Sequence, residues 1–285
     1  MRWFPRSDQA GLPGRAPRKA DVVPSPNIWY YTRAYEVENR AQDVGGAIWL
    51  ALREEFDWSG RDVLDVGCGD GFHLPHFAES AKSVLGVEPH EPLLRGAAQR
   101  VEADPSIEVR RGSAQRLPVA DASVDLVHAR TAYFFGPGCE PGLREANRVL
   151  RPGGALIIVD LDVRSEPYGG WMRADLPNYD PPAVERFFAD AGFTCRRVET
   201  EWRFADRASM ESVLKIEFSA KVAEQAIADV LRDNALRARL GAGGTGVTLP
   251  VGYRMHTRFK PTGLVLPGHS ASSEADSSST SPRIP

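Results

Sequence analysis

The stretch Val63-Leu64-Asp65-Val66-Gly67-Cys68-Gly69-Asp70-Gly71 decides how this sequence is read. A short apolar run enters a loop with glycine at every second position, and a helix-like segment follows. Glycine tolerates the left-handed backbone that a tight turn needs. Having no Cβ, it also lets a ligand approach the main chain. Doubly wound sheets bind ligands at such a turn, at the carboxyl end of the first strand.

Outward from the loop, strand-like and helix-like segments alternate. Strands are predicted at 62–66, 83–87, 107–111, 123–127 and 155–160, with later strands at 194–204 and 249–259. Helices are predicted at 33–56, 92–101, 142–150 and 183–191, and over about 208–239. Arg151-Pro152-Gly153-Gly154 is a strong helix breaker, and Gly192 is a C-terminal signal. Alternation of this kind implies a parallel sheet covered on both faces, wound by right-handed crossovers. The expected architecture is α/β: a doubly wound, mostly parallel seven-stranded sheet with helices on both faces. A single domain over 27–267 accounts for it, with 208–239 as a helical insertion that caps the site or forms a dimer face. Residues 1–26, rich in Pro and Arg, and the Ser-rich residues 268–285 read as loosely packed tails.

Composition narrows the function classes. The chain has 285 residues, 42% of them hydrophobic, enough for a substantial core. A net charge of −3 gives no reason to expect a nucleic acid partner. The three cysteines, Cys68, Cys139 and Cys195, form no CxxC pair, so neither a disulfide framework nor a metal site is expected, and a reducing, cytoplasmic setting fits. No run approaches the ~18 uninterrupted apolar residues of a membrane span.

The loop's charges point to its ligand. The spacing is GxGxG, so Phe72 stands where a dinucleotide fingerprint has a third glycine. Asp65 precedes the loop and Asp70 lies within it. A pyrophosphate gains nothing from that negative charge, whereas a ligand carrying a sulfonium and an ammonium does. Glu88 ends the second strand, where a carboxylate can accept both hydroxyls of a ribose.

These residues, with Gly112-Ser113-Ala114-Gln115-Arg116-Leu117-Pro118 and Arg148-Val149-Leu150-Arg151-Pro152-Gly153-Gly154, resemble the class I S-adenosylmethionine-dependent methyltransferases, most closely the branch acting on small molecules. The resemblance covers about residues 60 to 160. It implies S-adenosyl-L-methionine as cofactor, with Gly67, Gly69 and Ala129 along its methionine part and Asp65 organising the amino group. It places Glu88 on the ribose and Ser113 and Ala114 on the adenine. The family usually has an acid where this chain has Ser113; a hydroxyl accepts more weakly than a carboxylate.

Methyl transfer requires no particular catalytic side chain, so acceptor-side candidates come from position. The segment 128–135 should follow the fourth strand. It offers His128 and Tyr133 as catalytic candidates, Arg130 for an acidic group and Phe134 for an apolar wall. Tyr30 and Tyr31, within Asn27-Ile28-Trp29-Tyr30-Tyr31, would form a lid, and Trp171 would complete the pocket. The partner implied is a small-molecule acceptor, for a monomer or homodimer. Two other classes stand beside this reading: a nicotinamide-dependent oxidoreductase, and a module that binds S-adenosylmethionine without transferring its methyl group.

Overall fold

The computed structural model describes residues 24–242 and 244–263; the tail readings on 1–23 and 268–285 lie outside them. In chain order the described elements begin with α1 (Pro26–Tyr30), α2 (Thr32–Ala41), α3 (Ala47–Glu55), β1 (Asp62–Val66), α4 (Leu74–Ala78) and β2 (Ser83–Glu88). Next come α5 (Glu91–Val101), β3 (Ile107–Arg111), β4 (Val124–Arg130), α6 (Glu140–Val149), β5 (Leu150–Leu161) and α7 (Tyr168–Asp175). The last are α8 (Pro181–Asp190), β6 (Thr194–Phe204), α9 (Arg207–Glu217), α10 (Ala220–Arg239) and β7 (Val247–Phe259).

The seven strands form one sheet in the order β3-β2-β1-β4-β5-β7-β6. Pairing is parallel from β3 through β5, while β7 runs antiparallel to both β5 and β6. This is the expected doubly wound, mostly parallel sheet. The central strands send residues into two cores, one on each face. Val63, Leu126, Ile157 and Val159 join the core beneath α3, α4, α7, α9 and α10, whereas Leu64, Val66, Val127 and Ile158 join the core beneath α6 and α8. At ~25 cal/mol per Å² of apolar surface removed from water, such two-sided burial is the main favourable term holding the sheet.

Three expectations need correcting. The helix expected over 33–56 breaks at 42–46, because Asp43 turns back to cap α3: its Oδ2 accepts from the Ile48 amide at 2.9 Å, and Oδ1 accepts from Thr200. The legible signal for that break was Asp43-Val44-Gly45-Gly46, where Asp43 and Gly46 both take positive φ. The helical region 208–239 is two helices, α9 and α10, joined at Phe218 and Ser219. The fourth strand runs to Arg130 rather than stopping near 127, so His128 and Ala129 lie inside the sheet.

That extension has a physical cause. Asp65 of β1 and His128 of β4 are register partners, and His128 Nδ1 meets Asp65 Oδ1 at 2.7 Å. Each polar group is satisfied by the other, so both can be buried. The imidazole edge also packs on Phe77, with ring centroids 5.0 Å apart.

His128→Ala therefore strands a buried carboxylate. It should lower the free energy of unfolding by about 3–5 kcal/mol, read from urea denaturation. A loss under 1 kcal/mol would mean that the pair contributes nothing to the junction of β1 and β4.

Candidate active site

The carboxyl ends of β1, β2 and β4 open onto a cleft roofed by α1. It encloses about 980 Å³ of space, open solvent at its mouth included. The glycine loop forms its floor. Gly67, Gly69 and Gly71 all adopt positive φ, +75°, +59° and +80°. Space is equally restrictive at two of them. A Cβ on Gly67 would lie 2.6 Å from Ala132 Cβ, and one on Gly69 would lie 2.8 Å from Ile28 Cδ1. The amides of Gly67 and Cys68 both donate to the Val87 carbonyl, which fastens the loop to the end of β2.

Glu88 stands at the centre of this construction. It is 4% exposed, and its Oε2 accepts from the Gly69 amide at 3.1 Å while Oε1 accepts from the His90 amide at 2.8 Å. Burial pushes its carboxyl up to about 6, against the pull of those two amides. Each oxygen has a second lone pair, so two further donors can be accepted. His90, held by Glu88, stacks on Trp29 of α1 with centroids 4.2 Å apart and an interplanar angle of 9°. Ser113 and Ala114 form the wall beyond Glu88.

The opposite wall is the segment after β4. Thr131 and Tyr133 take positive φ there, +50° and +52°. Such conformations cost non-glycine residues about 1–3 kcal/mol each and concentrate at functional sites. Arg130 lines both this cleft and a smaller polar recess holding Asn39, Gln42, Asp70 and His73. Its Nη2 donates to Gln42 Oε1 at 2.7 Å, and Nη1 meets His73 Nε2 at 3.3 Å. Burial, with Arg130 beside it, holds His73 well below its ordinary pKa, so its ring is neutral and can accept. Among the described residues, Arg130 Nε has no hydrogen-bond partner.

The structure thus brings Gly67, Gly69, Glu88, Ser113, Ala114, Arg130 and Tyr133 to one cleft. It does not bring the others. Asp65 and His128 are locked together behind the loop, 3% and 2% exposed, so His128 has no access to an acceptor. Ala129 is fully buried in the sheet. Phe134 packs in the core with Leu143 and Ala146. Trp171 packs against Tyr168 and Phe218 and donates its ring N–H to Asp229. Tyr30 and Tyr31 point away from the cleft. Asp70 is already paired with Arg100 at 2.6 Å, so its charge is not left over for a cationic ligand.

The residues that sequence reasoning missed are Pro24, Ser25 and Pro26, assigned to a tail, together with Tyr35, Thr131 and Ala132 as specific wall members; Phe135, expected with Tyr133 and Phe134 as an apolar wall, does line the cleft. The lid segment was legible, but its orientation was not. Asn27, Ile28 and Trp29 face inward because Asn27 Nδ2 donates to Glu217 Oε1 at 2.7 Å, 190 residues away. Among the described residues no cluster of side chains suits a metal ion, and no helix is long and apolar enough to cross a membrane.

Comparison with known proteins agrees with this geometry. Residues 64–158 match a family described as Methyltransferase domain. A Mycolicibacterium smegmatis protein named "Probable S-adenosylmethionine-dependent methyltransferase" is 34% identical over 100 residues, 35% of this chain and 38% of that protein. An uncharacterized methyltransferase of Mycobacteroides abscessus is 38% identical over 149 residues, 51% of this chain and 55% of that one. The chain spans only about a third to a half of the length of the curated relatives it matches. In structure, the YcgJ protein of Bacillus subtilis superposes with a TM-score of 0.52 at 17% identity, covering 77% of this chain and 100% of that one, which shows a shared fold. Residues 64–158 are thus similar to a methyltransferase domain, on a fold shared with the YcgJ protein.

Proposed function

We propose that the chain binds S-adenosylmethionine in the cleft and transfers its methyl group to a small apolar or aromatic acceptor by in-line displacement. The observation that carries this reading is the buried Glu88 carboxylate, fixed by two amides beside a glycine loop and still able to accept two hydroxyl donors. The residues present fit the cofactor. The glycine loop offers close main-chain approach, Glu88 suits a ribose, and Ser113 and Ala114 suit an adenine edge. Arg130, with Nε unpartnered, suits the carboxylate of the amino-acid end.

When bound, S-adenosylmethionine supplies a methyl group already activated by its sulfonium. The chain's own part is alignment and exclusion of water, and alignment alone is worth roughly 7–11 kcal/mol of barrier. Tyr35, Tyr133 and Phe135 form a wall suited to an apolar or aromatic acceptor. Burial pushes the Tyr133 phenol up to about 12, so it serves as a hydrogen-bond donor rather than a base.

Calorimetric titration with S-adenosylmethionine, with NAD run in parallel, tests the reading. Micromolar binding of the first alone is expected. Tight binding of NAD instead would replace the proposal with an oxidoreductase. Binding with no turnover across an acceptor screen would reduce it to a binding module.

Glu88→Ala should weaken cofactor binding by about 1.5–3 kcal/mol, because a charge-assisted acceptor is lost. Unchanged affinity would remove the ribose assignment. The wild-type protein should also bind more weakly as pH falls through about 6, where the free Glu88 takes up a proton that the hydroxyl donors must displace. The slope approaches tenfold per pH unit for a single proton, roughly, and disappears in Glu88→Ala.

A further inference from the structure

Beneath the lid lies a pair of carboxyl groups that the proposed chemistry does not use. Glu38 of α2 and Glu217 of α9 are 1% and 0% exposed and hydrogen-bond each other. Two carboxylates cannot share a hydrogen bond without a proton. The remaining contacts show where that proton belongs. Glu217 Oε1 accepts from Asn27 and Oε2 from the Tyr168 hydroxyl at 2.9 Å. Glu38 Oε1 accepts from Gln42 Nε2 at 2.7 Å, but no donor among the described residues reaches its Oε2. A proton held by the pair completes the set.

The pair is the middle of a continuous chain. Arg130, in the cleft wall, donates to Gln42; Gln42 donates to Glu38; Glu38 meets Glu217; and Glu217 holds Asn27 of α1. Both ends line the cleft, one as its cation and the other as part of its roof. The route between them passes through α9, part of the insertion.

We propose that the Glu38–Glu217 pair is a proton-held latch that keeps Arg130 and the α1 roof in place, making both glutamates positioning residues for cofactor binding. This rests on the reading of the cleft as an S-adenosylmethionine site. Loss of the shared proton to solvent leaves two facing carboxylates between α2 and α9, and their repulsion releases the roof.

The direction of the pH effect follows from the groups around the pair. Burial pushes both carboxyls up from the ordinary carboxylate range, Glu38 to about 7, and the facing Glu38 adds to the rise of Glu217. The phenols of Tyr35, Tyr168 and Tyr253, facing the pair from α2, α7 and β7, are pushed up by burial and stay neutral. The cation facing it is Arg130 on β4, which draws Glu38 down and limits its rise. An acid with a raised value in the closed state favours closure at low pH and opposes it as pH rises. Affinity should therefore fall above pH 7, in a range where Glu88 is already ionised.

The test uses the full chain and two readouts. S-Adenosylhomocysteine is titrated by calorimetry at pH 7, 8 and 9 into wild type and Glu38→Gln, folding being checked by circular dichroism. The Gln amide supplies a donor in place of the proton. Wild type should lose about tenfold in affinity across this range relative to the variant, whose profile stays flat once the common ligand titration is divided out. Hydrogen exchange of residues 26–41 without ligand should show extra opening at pH 9 in wild type and none in Glu38→Gln. Equal profiles in the two proteins would overturn the latch. If wild type binds no probe at any pH but its exchange still changes as described, the cofactor reading fails and the latch stands. Should Glu38→Gln not fold, Asn27→Ala severs the roof from Glu217. It should then bind more weakly and without the pH-dependent loss; a loss matching wild type overturns the latch.

Discussion

The carboxylate of Glu88 sits at the end of β2 with one oxygen on the Gly69 amide and the other on the His90 amide. Through the first it fixes the glycine loop after β1. Through the second it fixes the entry to α5, where His90 carries Trp29 of the roof. Three segments distant in sequence thus take their relative positions from one side chain. A charged group buried this deeply must be compensated by hydrogen bonds. Here the compensation comes from main-chain amides, which cannot rotate away as side chains can. The rigidity of the cleft floor is a by-product of keeping a carboxylate out of water.

The same principle recurs at a second level. Asp65 and His128 satisfy each other across β1 and β4, and Asp160 pairs with Arg254 at 2.9 Å across β5 and β7. These pairs let polar residues continue strands that would otherwise end at them. They join β1 to β4 and β5 to β7 through buried, mutually satisfied side chains.

How much of this was legible in the sequence depended on range. The glycine loop was legible because three positive φ values within five residues leave glycine as the unstrained choice. Glu88 was legible from its place at the end of the second strand, whereas Ser113 and Ala114 were implied by the family resemblance of the segment that holds them. The fourth strand was cut short because His128 reads as a polar terminator unless its partner on β1 is known. Trp171 and Phe134 were placed at the site on chemical type, yet an aromatic side chain suits a core equally well. Which face of the lid segment turns inward was set by Asn27 and Glu217, and no local pattern encodes a contact spanning 190 residues.

The position of β7 has a bearing on how the molecule is made. It is the last of the described strands but lies between β5 and β6, pairing with β6 along Thr194–Phe204. Until residues 247–259 leave the ribosome, β5 presents an open edge and β6 has no neighbour. Exposed strand edges invite pairing with other chains. Sheet closure is thus a late, long-range event of the kind that folds slowly and exposes apolar surface meanwhile. In a cell, the yield of this protein should depend on chaperone capacity during the interval between synthesis of β6 and arrival of β7, however stable the finished fold is.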